Sequence, residues 1–183
     1  MTDLENWPRV IQLAWEKTDD SGNVLSNSEV LIKPDGWVIP MEKIWIDNGF
    51  HTDISNDKGI AMPDALDSFV TDLNECDVMV AHNMGFDHPI LGAEMIRYKK
   101  RANNPARTKI CTMERTVDVC KVPFPNRGRF NSKQGWKWPK LEELYQFLFN
   151  QGFEGAHQSG NDVTACRLCF FELVKRGIIS LPS

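Results

Sequence analysis

The run DVMVA at residues 77–81 constrains the fold more than any other stretch of this chain. It is too short for a helix and apolar nearly throughout, which is how a strand buried on both faces reads, and such strands belong to sheets covered by helices. The surrounding chain supplies the helices. Ala65, Leu66, Phe69, Val70 and Leu73 recur at helical spacing over residues 63–74, and a further helix is expected over about 87–100. Pro89 is tolerated in a first helical turn, so that helix should start near Asp87. Residues 9–17 (RVIQLAWEK) and 24–33 read as the strands of a hairpin joined by the turn-forming DDSGN. A short strand is expected at 109–112, short helices at 41–46, 113–120 and 141–150, and a long helix from 161 to 176 that stops at Gly177. The fold class is α/β, a sheet flanked by helices.

At 183 residues the chain is expected to form one domain, burying roughly 70% of the surface its unfolded form would expose. No apolar run approaches the ~20 residues a membrane span needs, and MTDLENW has neither the basic start nor the apolar stretch of a secretion signal, so a cytoplasmic location and no membrane partner are expected. The five cysteines are odd in number and show no framework spacing, and Cys166-x-x-Cys169 has no partner pair that would complete a zinc site. It reads as two small apolar residues one helical turn apart.

Charge is unevenly spread. Residues 97–140 hold 13 Lys and Arg against Glu114 and Asp118, a net of +11, while the rest of the chain carries −15. Within that basic island Phe124, Phe130, Trp136 and Trp138 alternate with Arg127, Arg129, Lys133 and Lys137. Stacking surfaces interleaved with phosphate-binding charge are what single-strand binders use, and a solvated loop whose aromatics fold back on the core is the alternative.

Two segments carry groups capable of chemistry. AHNMGFDHPI (81–90) sets His82, Asn83, Phe86 and Asp87 at the carboxyl end of the buried strand, where open α/β sheets bind ligands. The structural alternative makes Asn83 a turn residue and Asp87 a favourable charge at a helix N-terminus. GAHQSGNDVTACRLC (155–169) places His157 in a Gly-rich loop and Asp162 in the first turn of the last helix, as a base and carboxylate facing one cavity or as an ordinary helix cap.

Taken together these segments resemble one family. RVIQLAW, VAHNMGFD (80–87), CTMERT (111–116), PKLEELYQFLF (139–149) and AHQSGNDVTAC (156–166) are similar, in order, to the second strand, second motif, connecting segments and His-x4-Asp third motif of the DEDDh branch of the DnaQ-like 3′-5′ exonucleases. The resemblance implies a ribonuclease H-like mixed sheet and one exonuclease-like domain over residues 1–183. It also implies Asp87 and Asp162 as metal carboxylates and His157 as general base. The implied cofactor is a pair of Mg²⁺ or Mn²⁺ ions, hard cations that take oxygen ligands. Single-stranded nucleic acid, DNA in first place, is the implied substrate, with His82, Asn83, Phe86, Arg127, Arg129 and Lys133 along its path and a DNA polymerase as a partner of some members. The match departs from the family at NGFHT (48–52), where Asn48 stands at the place of an expected His-Gly-Ile.

Asp3 and Glu5 have the Asp-x-Glu spacing of the family's first motif, but only Met1 and Thr2 precede them and only three residues separate Glu5 from Arg9. A strand takes about five residues and a connection two or more. Asp3 and Glu5 are therefore read as decoys, the first and central strand as missing, and Met1 as internal to a longer natural protein. The expected activity is metal-dependent 3′-5′ exonuclease action at single-stranded 3′ ends. The alternative is a catalytically incomplete nucleic-acid-binding or polymerase-associated module.

Overall fold

The hairpin forms where the sequence places it. A computed structural model describes residues 4–103, 107–124, 135–152 and 159–181, and in it β1 (Gln12–Thr18) pairs antiparallel with β2 (Val24–Lys33), Gln12 opposite Leu31 and Glu16 opposite Asn27. The turn is held by Asp19, whose carboxylate accepts from the Ser21 and Asn23 amides at 2.9 Å and from the Asn23 side chain at 2.8 Å. Gly22 completes it at φ 88°, and a Cβ there would press against the Phe171 ring at 2.9 Å.

After α1 (Lys43–Asp47), α2 (Thr52–Lys58) and the two-residue β3 (Ile60–Ala61), which pairs parallel with β2, comes α3 (Met62–Asn74). β4 (Val78–Ala81) then leads into α4 (Met84–Arg97) and pairs parallel with β5 (Thr108–Cys111). The single helix expected at 113–120 is two, α5 (Thr112–Arg115) and α6 (Val117–Cys120). They break at fully buried Thr116, whose hydroxyl donates back to the Thr112 carbonyl at 2.7 Å, the local bond by which threonine competes with a helical ladder. α7 (Leu141–Phe149) and α8 (Ser159–Lys175) complete the element order, and Gly177 follows at φ 69°. Helix α4 begins at Met84, three residues before the expected start, so Pro89 lies inside it. Asn83 is the reason. A single left-handed residue (φ 79°) turns the chain from strand to helix directly.

Alternation assigns the layers. Leu13 and Trp15 of β1 and Met79 of β4 pack with Ile32, Leu66, Phe69 and Leu91 beneath α3 and α4. Val78 and Val80 point the other way, onto Leu144, Leu148, Phe170 and Leu173 of α7 and α8. The expected mixed sheet between helical layers is present, as two small sheets ordered β1-β2-β3 and β4-β5. Among the described residues no backbone pairing joins β1 to β4, although both helical layers run across the two strands. Every residue of β1 and of β4 is only half-buried. Strands covered on both faces by helices are normally deeply buried, so the partial exposure fits strand edges without a neighbour among the described residues. No helix of the described residues is long and apolar enough to cross a membrane.

Candidate functional site

Two helix entrances meet at the carboxyl ends of β4 and β5. The first follows β4. His82 is clamped there, with Nδ1 3.0 Å from the Thr112 hydroxyl and Nε2 2.9 Å from the Pro139 carbonyl. A carbonyl only accepts, so Nε2 carries the proton and Nδ1 takes the hydroxyl's. Burial lowers the pKa of this imidazole, opposed in part by the bond to the Pro139 carbonyl. His82 thus brackets three segments, with both ring nitrogens engaged. Asn83 makes no side-chain cap bond and works through its left-handed backbone.

Asp87 follows one turn into α4 and Phe86 beside it is 60% exposed. Asp87 as a residue keeps exposed surface, yet enough protein crowds its carboxyl to raise the pKa, opposed by the bond to its own backbone amide. A carboxylate whose charge is penalised and not offset by a cationic neighbour is what a ligand-binding position looks like before its ligand arrives.

The second entrance is α8. Asp162 lies half-buried in its first turn, and Cys166 stands one turn further along the same face. The Cys166 thiol is pushed up to about 12 by burial first, and the charge of Asp87 adds to the push. It sits 4.0 Å from the Thr112 hydroxyl. The α8 face that bears Asp162 is thus directed toward the turn that bears Asp87.

What holds α8 there was not read from the sequence. Glu16 of β1 accepts from Thr164 Oγ1 at 2.6 Å and from Arg167 Nε at 2.5 Å. Glu29 of β2 accepts from Gln12 Nε2 at 2.9 Å and from the Gly160 amide at 3.2 Å, a carboxylate at a helix N-terminus where the dipole favours it. Position 160 admits this approach because a Cβ there would lie 2.5 Å from Glu29 Oε2. The available signal was alternation: Glu16 and Glu29 lie on the hairpin face opposite Leu13 and Trp15.

Of the other expected site residues, His157, Arg127, Arg129 and Lys133 lie outside the described residues, as does Asp3. Trp138 is 61% exposed although both neighbours are pinned, Pro139 through His82 and Lys137 through Glu143 at 2.6 Å. Lys137 is therefore paired internally instead of facing solvent. Among the described residues no group of three or more His, Cys, Asp or Glu side chains is arranged to hold a metal ion. Asp87 and Asp162 are hard oxygen donors of the right kind, but two carboxylates do not make the ligand set of a two-ion centre.

The fold is that of exonuclease I. Escherichia coli exonuclease I in complex with a dA16 oligonucleotide superposes with a TM-score of 0.64 at 17% sequence identity, over 91% of this chain and 37% of that one. The zinc-ion-bound form of the E. coli exonuclease I complex with single-stranded DNA matches with a TM-score of 0.64 at 16% identity, over 92% of this chain and 37% of that chain. A product-bound exonuclease I gives 0.60 at 15% identity, over 90% and 39%. This chain thus spans less than two fifths of the length of the solved structures it matches. No protein-family model and no curated protein matches it in sequence.

Proposed function

We propose that this chain is the nuclease portion of a 3′-5′ exonuclease acting on the 3′ ends of single-stranded DNA. Asp87 and Asp162 are its metal carboxylates and His157 its general base. The observation that carries the reading is the raised pKa of the Asp87 carboxyl, set opposite the α8 face of Asp162 at the ligand-binding end of the sheet. The likeness to exonuclease I structures that hold DNA oligonucleotides supports the substrate class. Phe86 and Trp138 offer exposed stacking surfaces beside the same turn.

The cofactor of this proposal is Mg²⁺ or Mn²⁺. The described donors do not complete a two-ion centre. What the chain's own residues do is narrower. His82 fixes the turn that aims Asp87, and Glu16 and Glu29 fix the helix that aims Asp162.

The absence of a three-ligand cluster among the described residues favours a second reading, a nucleic-acid-binding module without turnover. A 5′-labelled single-stranded oligonucleotide incubated with Mn²⁺ separates the two. Shortening from the 3′ end, abolished by Asp87→Asn and by His157→Ala, is the expected result. Binding without shortening, unchanged in both variants and indifferent to Mn²⁺, establishes the binding module instead.

A further inference from the structure

A cleft of about 560 Å³ opens on the outer side of the β4-β5 sheet, lined by Met84, Gly85, His88 and Pro89 of α4, Lys109 and Cys111 of β5, and Glu114 and Arg115 of α5. Three other cations of the basic island are engaged elsewhere. Arg97 is spent on Glu94 at 3.1 Å and on the Trp7 carbonyl at 2.8 Å, Lys100 on Asp67 at 2.5 Å, and Lys137 on Glu143. Lys109 and Arg115 form no ion pair among the described residues, and both are exposed. They emerge six positions apart, one from the last strand and one from the helix that follows it, into the same concavity.

We propose that this cleft binds the phosphate group of a nucleotide, with the Lys109 ammonium and the Arg115 guanidinium as its cationic contacts. A guanidinium fork matches phosphate oxygens, and a nearby ammonium adds a second positive charge for a group carrying one to two negative ones. Met84, Pro89 and Cys111 supply an apolar wall for sugar or base, and the volume falls in the range of roughly 300–1,000 Å³ typical of small-ligand sites. The Glu114 carboxylate repels an anion placed against it. It therefore fixes polarity, with phosphate toward Lys109 and Arg115 and a hydroxyl or amino donor of the nucleoside toward Glu114. In a protein of net charge −4 this is a local reversal of sign.

Where the phosphate comes from rests on the exonuclease reading. It is either a backbone phosphate of the bound strand or that of a released mononucleotide, and the two share one chemistry. The test uses dTMP and a labelled oligo-dT strand as probes, titrated against the wild-type chain and Lys109→Glu/Arg115→Glu, with Lys109→Gln/Arg115→Gln as a milder pair and circular dichroism as the check on folding. The expected result is loss of dTMP affinity by about tenfold or more in both pairs, since each removes the charge-assisted contacts. If oligo-dT affinity falls in parallel and its salt slope drops by about 0.7 per lost contact, the cleft takes a strand phosphate. If only dTMP is lost, it takes the free mononucleotide. Unchanged dTMP and oligo-dT affinities in a folded variant overturn the cleft while leaving the exonuclease reading intact. Binding of dTMP without any binding of oligo-dT keeps the cleft and overturns that reading. A wild-type chain that binds neither overturns both.

Discussion

The two helix entrances at the carboxyl end of the sheet are built on opposite principles. The first three turns of α8 are moored from outside, by Glu29 at Gly160 and Glu16 at Thr164 and Arg167, reaching across from the hairpin more than a hundred positions away in the chain. The first turn of α4 is moored from within, by left-handed Asn83 and by the clamp on the adjacent His82. One entrance is electrostatic and separable from its helix; the other is continuous with the strand before it. A carboxylate of the candidate site rides on each, so the separation of Asp87 and Asp162 depends on two independent supports.

The largest expected effect comes from cutting the inner mooring. His82→Ala leaves the Thr112 hydroxyl and the Pro139 carbonyl without their partner and opens space beneath them, a loss of about 2–3 kcal/mol. Urea unfolding measures it, and binding of a labelled oligonucleotide should weaken with it, because the segment that presents Trp138 is released. A variant as stable as wild type shows that α4 does not depend on the clamp.

Cutting the outer mooring should do less to the fold and as much to the site. Glu16→Ala strands Arg167, whose partner carboxylate is 11% exposed, and removes the acceptor for Thr164; about 2 kcal/mol is expected. Glu16→Gln keeps one acceptor oxygen and should recover part of that. Exonucleolytic turnover, where the chain is active, should fall by about tenfold or more in Glu16→Ala, since a displacement near 1 Å at a catalytic group costs that much or more. Unaltered turnover in the destabilised variant severs α8 from the chemistry.

This contrast also explains what could be read from the sequence. The strand DVMVA and the polar turn after it are local features, and the structure has β4 and the turn into α4 where they were expected. The start of α4 was misplaced because Pro89 was given the first turn, whereas Asn83 accomplishes the strand-to-helix turn in one left-handed residue. Helix α2 (TDISNDK) was not expected, since Ile54 alone gives it no apolar periodicity. The moorings of α8 escaped notice for a different reason. Bonds such as Thr164 to Glu16 link positions whose proximity is a product of the fold, and no spacing rule encodes them. The basic island, too, looked uniform in one dimension. In three, Glu94, Asp67 and Glu143 engage Arg97, Lys100 and Lys137, while Lys109 and Arg115 stay exposed beside one cleft.

A smaller effect of opposite sign is expected at the carboxylate itself. Crowding raises the Asp87 pKa, so its ionised form destabilises the fold at neutral pH, and Asp87→Asn should relieve that cost. The gain is at most about 1 kcal/mol because the residue keeps exposed surface that screens it. Thermal unfolding in the presence of a chelator should show a Tm raised by a few degrees. A lowered Tm means that Asp87 is held by a stabilising contact and is not the strained carboxylate of a site.

The smallest effect distinguishes the two kinds of group that flank Asn83. His82 has a depressed pKa in the fold, so below its ordinary value of 6.5 the unfolded chain takes up a proton that the folded chain refuses. Stability is then complete above that value and falls as the pH drops toward the folded pKa; His88, lowered by burial and then by the charge of Lys109, adds to the same trend. Asp87 works in the other direction. Its folded pKa lies above the ordinary 3.8, so in the interval between them the folded chain holds the extra proton and gains stability as the pH falls. Urea midpoints followed from about pH 7.5 to about pH 4 should therefore decline throughout. The proton taken up by Asp87 levels the acid end in part, against the losses from Asp19, Asp72, Glu143 and Glu172, whose pKa values are lowered by their hydrogen-bond partners. His82→Gln should flatten the decline and Asp87→Asn should remove the levelling. If Asp87→Asn leaves the curve unchanged, the crowding of its carboxyl is not felt by the folded chain, and the two entrances differ in architecture alone.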